Sequence, residues 1–138
     1  MSGPLSGIKI IDLSSVISGP VATVLLADQG ADVIKVEAPQ GDIVRRMGLG
    51  KHNLSPAFVS ANRGKRSICI DLKAAAGVSV VKKLIAGADV FIQNFRPGAI
   101  ERMGLSWDVL SALNPRLLYV SVSGFGETGP YAHKRVYD

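Results

Sequence analysis

Residues 94–98, Asn-Phe-Arg-Pro-Gly, place an amide, an aromatic ring and a guanidinium directly after the apolar run Val90-Phe91-Ile92. An Asn side chain can donate to and accept from a base or an amide. A Phe offers a stacking plane, and an Arg offers a planar fork for phosphate. The plainer reading is a strand end followed by an N-capped helix, because a Pro such as Pro97 suits a first helical turn. Both readings can hold together. Arg96 and Arg102 flank one turn of that helix, so both could reach an anion, or both could belong to a solvated face.

Other candidate chemistry is thinner. Gly124-Phe125-Gly126-Glu127-Thr128-Gly129 has the glycine spacing of a dinucleotide-binding loop. That loop works only if a helix opens at its third Gly, so that the helix N-terminus can hold the pyrophosphate. Here Pro130-Tyr131-Ala132-His133-Lys134-Arg135 follows, with no apolar helical stripe, which predicts a loop. His52 and His133 have no Cys or carboxylate spaced around them like metal ligands, so no metal site is expected. There is no Gly-x-Ser-x-Gly elbow and no Cys-His arrangement. Cys69, between Ile68 and Ile70, reads as a small core residue in a reducing compartment.

The elements that must position these groups alternate. Ile8 to Leu13 reads as a buried strand ending at Ser14-Ser15, and Gly19-Pro20 starts a helix that Gly30 follows. Val33–Val36 is a second strand, Asp42–Met47 one helical turn and Ser55–Asn62 another short segment. Ser67–Leu72 is a third strand. In a helix from about Ala74 to Ala86, Val78, Val81, Leu84 and Ile85 share one face, with Lys82 and Lys83 outside it. Val90–Gln93 is a fourth strand, Pro97–Met103 and Trp107–Leu113 are short helices, and Leu117–Val122 is a fifth strand. Strands and helices in alternation predict an α/β fold, a mostly parallel sheet with helices on both faces. Ligands of such sheets bind outside the carboxyl ends of the strands, where Asn94, Phe95 and Arg96 fall.

The 138 residues allow one domain with a sizeable core. With 47% hydrophobic and 20% charged residues, the chain reads as an ordinary globular protein. The apolar stretches are far short of a membrane span, and the first residues lack a signal peptide's basic start. A cytoplasmic protein is expected. The net charge is +5, but its cations are dispersed, with no basic run interleaved with aromatics. A phosphate-bearing small molecule is therefore expected rather than nucleic acid. The chain ends at Val136-Tyr137-Asp138 without a closing element, which predicts a fragment.

Taken as a set, several segments resemble the family III CoA-transferases. They are "GPLSGIKIIDLSSVISGP", "LLADQGADVIKVEAPQGD", "NRGKRSICIDLK", "ADVFIQNFRPGAIERMG", "LNPRLLYVSVSGFGETGPY" and "VYD", in that family's order and spacing. The group includes formyl-CoA transferase, carnitine CoA-transferase and α-methylacyl-CoA racemase. The resemblance covers nearly the whole chain.

It implies a Rossmann-like large domain, of which residues 1–138 form the amino-terminal part, and a homodimer of interlocked subunits. Coenzyme A or an acyl-CoA would be a substrate, with a carboxylic acid as the second one and no prosthetic group. Carried over by position, the CoA contacts would be Ile17 and Ser18, then Ile70, Asp71, Leu72 and Lys73. Asn94, Phe95, Arg96 and Arg102 would follow, with Met103 packing beside them, and Arg135 and Tyr137 would close the other side. Asp138 matches an acidic position lining the site.

The family's nucleophile is an aspartate, and by its pattern that residue lies downstream of Val136-Tyr137-Asp138. No catalytic residue is then expected within the chain. Formyl-CoA transferase carries a Gln where this chain has Ile17, and an Arg near the adenine where it has Ala38. Both departures speak against a formyl or oxalyl specificity. In the racemase branch a His precedes the Asp that Asp138 matches, whereas here it is Tyr137. Transfer is therefore expected over racemisation, and a non-catalytic nucleotide or CoA binder is the reading of a different class.

Overall fold

The apolar runs form five short strands: β1 Lys9–Asp12, β2 Asp32–Glu37, β3 Arg66–Cys69, β4 Val90–Gln93 and β5 Leu118–Ser121. The structure, a computed structural model, describes residues 3–134 and Val136. Every strand pairing is parallel, and the order across the sheet is β3-β2-β1-β4-β5. The chain winds outward from β1 in one direction, then crosses back to β4 and winds the other way. A topological switch point therefore lies between β1 and β4.

The connections are helical: α1 Ser18–Asp28, α2 Pro56–Asn62, α3 Ala75–Ala86, α4 Ala99–Arg102 and α5 Trp107–Leu113. A single 3-10 turn, Ile43–Arg46, lies between β2 and α2. Successive strand residues point to opposite faces, so β1, β2 and β4 each feed two cores. Ile11, Leu13 and Phe91 pack with Val81 and Ile85 of α3 and with Leu110 of α5. Ile10, Val33 and Ile92 pack on the other face with Leu26 and Ala27 of α1. The expected α/β sheet covered on both faces is what the chain builds.

Local chemistry sets the helix ends. Ser55 Oγ accepts from the Phe58 N–H at 3.0 Å, and Pro56 occupies the first turn of α2. The helix expected from Pro97 begins instead at Ala99. Pro97-Gly98 is a turn, with Gly98 at φ 80°, a left-handed conformation that glycine adopts without penalty. Gly77 is needed for a different reason. A Cβ there would lie 2.0 Å from the Asp71 carbonyl oxygen, so its absence lets α3 sit against the loop after β3.

Cys69 departs from expectation. It is exposed, not a core residue. β3 is an edge strand with a neighbour on one side only, so an apolar context in sequence does not enclose its last residue. No helix is long and apolar enough to cross a membrane among the described residues.

Candidate functional site

Four loops meet beyond the carboxyl ends of β1, β2, β3 and β4. Because the strand order reverses between β1 and β4, the loops there diverge and leave open space. The first cleft, ≈ 640 Å³, is walled by Leu13 to Ser15, by Ala38 to Ile43, by Asp71 to Lys73, and by Phe95, Arg102 and Met103. A second, ≈ 480 Å³, lies on the β4–β5 side and is lined by Ser15, Val16, Ser18, Asn94 to Pro97, Val122 to Phe125 and Lys134, among others. Ser15 and Phe95 face both clefts and form the partition between them.

The residues singled out from sequence thus divide into two groups. Asp71, Leu72, Lys73, Arg102 and Met103 line the first cleft, Ser18, Asn94 and Arg96 line the second, and Phe95 serves both. Ile17 is exposed at the N-cap of α1 and lines neither cleft. The Ile70 side chain is buried in the core, and its backbone N–H donates to the Glu37 carbonyl at 2.8 Å. Ala38 lines the first cleft. Arg135, Tyr137 and Asp138 lie outside the described residues.

Asn94 has an assignment that the sequence leaves open. Its amide donates to the Ser15 carbonyl at 2.8 Å and accepts from the Ser15 N–H at 2.9 Å. The side chain is thereby a splice between β4 and the loop after β1, and it caps no helix. Phe95 is held from below: its N–H donates to Gln93 Oε1 at 2.7 Å, and Gln93 Nε2 donates to Ser121 Oγ at 2.8 Å. The Ser121 hydroxyl donates in turn to Glu127 of the glycine-rich loop. Among the described residues no helix follows Gly129, as its sequence context predicts, so the segment lacks the helix N-terminus of a pyrophosphate cradle.

Charge is distributed unevenly over the first cleft. Lys73 and Arg102 stand on its wall with no ion-pair partner among the described residues. Beneath them lies a buried polar network that sequence reading did not single out. Lys35 Nζ donates to the Asp42 carboxylate at 3.1 Å and to the Ser14 carbonyl at 2.9 Å. Arg45 makes two hydrogen bonds to Glu37, at 2.7 and 2.6 Å, and its guanidinium lies 3.8 Å from the centre of the Phe58 ring. Asp12 accepts from Thr23 Oγ1 at 2.6 Å and from Lys65 Nζ at 2.9 Å.

Burial pushes the Glu37 carboxyl up. The hydrogen bonds from Arg45, the Asp42 N–H and Ser67, with the Arg45 charge, outweigh it and hold the group at about 2. Asp12 likewise ends below the ordinary carboxylate range: burial opposes ionisation, but Lys65, Lys35 and the Ser14 and Thr23 hydroxyls favour it more. No buried side-chain nitrogen or oxygen lacks a partner among the described residues.

The missed residues did leave a signal. Lys35 sits between Ile34 and Val36 in Asp32–Glu37, and Asp12 ends Lys9–Asp12. A charge inside a strand covered on both faces must be buried and paired. Among the described residues no group of His, Cys, Asp and Glu could hold a metal ion, and His52 and His133 are both exposed.

A wound parallel sheet with an open crevice at its switch point defines an α/β protein of the doubly wound class. Within that class, the chain belongs to CoA-transferase family III, whose family model matches residues 5–138. Among its relatives is the succinate–glutarate CoA-transferase of Agrobacterium fabrum, 49% identical over 98% of this chain and 36% of that protein. Mouse succinyl-CoA:glutarate CoA-transferase is 44% identical over 98% of this chain and 31% of its own length. A crystal structure of a CAIB/BAIF family protein from Brucella suis superposes with a TM-score of 0.95 at 43% identity, covering 100% of this chain and 38% of that one. The chain spans about a third of the length of these proteins.

Proposed function

We propose that residues 1–138 are the amino-terminal part of an acyl-CoA:carboxylate CoA-transferase, and that the switch-point clefts form its coenzyme A cradle. The observation that carries this reading is the first cleft itself. A phosphate-bearing ligand would find Lys73 and Arg102 on its wall, without an ion-pair partner among the described residues, while Phe95 offers an aromatic surface across from the loop after β3. Arg96 and Lys134 supply cations to the second cleft. Asp71, Leu72 and Met103 shape the first cleft, with Ser18 and Asn94 in the second. Ile17, Ile70, Arg135 and Tyr137 complete the contact set by position in the family pattern. The relatives named above act on short dicarboxylic acids, which supports a carboxylic acid as the second substrate.

The chemistry this reading requires is covalent. A carboxylate of the enzyme, supplied from beyond Asp138, attacks the thioester carbonyl and expels CoA as its thiolate, leaving an acyl-aspartyl anhydride. The thiolate attacks the enzyme's carbonyl, releasing the first acid and forming an aspartyl-CoA thioester. The incoming acid attacks that thioester and releases the thiolate again. The thiolate then takes the new acyl group, and the free carboxylate returns. The chain's own groups would bind the CoA, keep it bound between departures, and present its sulfur. A homodimer of interlocked subunits, working in the cytoplasm, belongs to the same reading.

The test is exchange by the full-length protein. Succinyl-CoA is offered with glutarate, L-malate or oxalate, and the CoA esters are separated by chromatography. Appearance of a second CoA ester in step with loss of the first is the expected result. Binding of CoA with no exchange across the panel would leave a non-catalytic binder. Calorimetry with CoA and NAD provides the companion measurement, and tight NAD binding without CoA binding would overturn the assignment.

A further inference from the structure

The turn between β1 and α1 holds a conformation that its own residue resists. Val16 adopts φ 69°, in the left-handed region that β-branched side chains rarely occupy. Such strain persists only where the surroundings over-determine it, and it gathers at functional sites. Here the surroundings are identifiable. The Val16 N–H donates to both Asp42 carboxylate oxygens, at 3.3 and 3.2 Å, and the same carboxylate caps the Val44 N–H at 3.1 Å. Lys35 Nζ bridges Asp42 and the carbonyl of Ser14, and the Lys35 and Asp42 side chains are only 2% and 1% exposed. Asn94 pins Ser15 from the opposite strand. Three consecutive residues, Ser14, Ser15 and Val16, are therefore fixed from two sides.

This turn forms part of the wall between the clefts, since Ser15 faces both and Val16 faces the second. Stability alone does not call for the arrangement. A glycine at position 16 would need no clamp, and an apolar pair would avoid the desolvation that a buried ion pair carries. We propose that Lys35 and Asp42 are positioning residues of the acyl-CoA site. Acting through Ser14 and Val16, without touching the reacting atoms, they hold the β1–α1 turn in the shape that keeps the two clefts apart and open. The proposal rests on the CoA-transfer reading.

The experiment is a mutant cycle in the full-length protein, read as KM for the acyl-CoA against kcat. Asp42→Asn keeps the side chain's shape but removes its charge and half its accepting capacity. It is expected to lower kcat/KM by about 100-fold, the scale of a misplacement of roughly 1 Å, with the larger part of the loss in KM rather than in kcat. Adding Val16→Gly to Asp42→Asn should recover most of that loss, because glycine takes φ 69° unaided. The melting temperature should stay below wild type, since the ion pair is still broken. Should Asp42→Asn not fold, the pair Lys35→Met with Asp42→Leu removes both charges together and must show the same KM defect and the same rescue. A wild-type KM in the charge-removed protein overturns the proposal, as does a KM defect that Val16→Gly leaves untouched. If the wild-type protein neither binds CoA nor exchanges it, the CoA-transfer reading fails and takes this proposal with it. If it does bind, only the positioning role is at stake.

Discussion

Arg102 and Lys73 bring charge to the first cleft without an ion-pair partner among the described residues. An exposed cation of this kind contributes little to folding, so its value lies in what it meets in the cleft. Arg102→Ala, and separately Arg96→Ala, should each weaken CoA binding by about 1–3 kcal/mol if a charged hydrogen bond to phosphate is lost. Titration calorimetry reads this directly, and unchanged affinity in both variants would return the pair to a solvated face. Glu37 behaves in the opposite way, since its charge is fully committed to Arg45, the Asp42 N–H and Ser67. Its carboxyl is lowered from the ordinary 4.5 to about 2, so its stabilising contribution is fully present above about 4.5. That contribution is lost as pH falls from 4.5 toward 2. Urea melts of wild type and Glu37→Gln should therefore differ most at neutral pH and converge as the pH is lowered through that window. A gap independent of pH would show that the Glu37 charge is not what matters. At this scale the sequence was only partly legible. Residue types made Phe95 and Arg96 candidates, but nothing short of a fold could say that Asn94 spends its amide on Ser15. The same holds for the Asp42 partnership with a lysine seven residues earlier.

The elements themselves were easier to read, because apolar periodicity reports burial directly. Val81 and Ile85 lie on the predicted stripe of α3 and are 0% exposed, whereas Val80, one position off that stripe, is 40% exposed. Ile85→Ala should destabilise by about 2–5 kcal/mol through the cavity it leaves, and Val80→Ala by about 0.5 kcal/mol or less. Equal effects in chemical denaturation would mean that the helix packs on a different face. Where element boundaries strayed from expectation, a local competitor decided. Pro97 suggested a helix start, but Gly98 at φ 80° turns the chain first, and the helix waits for Ala99. Cys69 misled because flanking isoleucines report the strand, not its place in the sheet, and an edge strand leaves its last residue open. Strand order is the other thing that periodicity cannot supply. The switch point between β1 and β4 depends on the crossover through α3, and that crossover decides which loops become neighbours.

At the scale of the molecule, apolar surface remains uncovered. Ile17, Val21 and Leu25 form an exposed ridge along α1, and Leu118 on the edge strand β5 is 65% exposed. Edges and ridges of this sort invite association. Residues 1–138 expressed alone should therefore scatter light as associated species and show no transfer activity, lacking the proposed nucleophile. A monodisperse, active monomer would overturn that expectation. The full-length protein poses the remaining question, which branch of the chemistry it follows. Removing and returning the proton α to a thioester carbonyl needs two acid/base groups suited to neutral pH. The residue before Asp138 is Tyr137, whose phenol ordinarily titrates near 10 and is a poor base at neutral pH, although it can donate a hydrogen bond. Transfer of CoA between carboxylic acids makes no demand on the α-hydrogen. The full-length protein is thus expected to move CoA from a 2-methylacyl-CoA to an added acid in deuterated water while the α-carbon keeps its hydrogen. Mass spectrometry of the recovered thioesters reads both events in one sample. Rapid deuterium incorporation at the α-carbon, with no CoA passed to any added acid, would instead place the protein among the racemases.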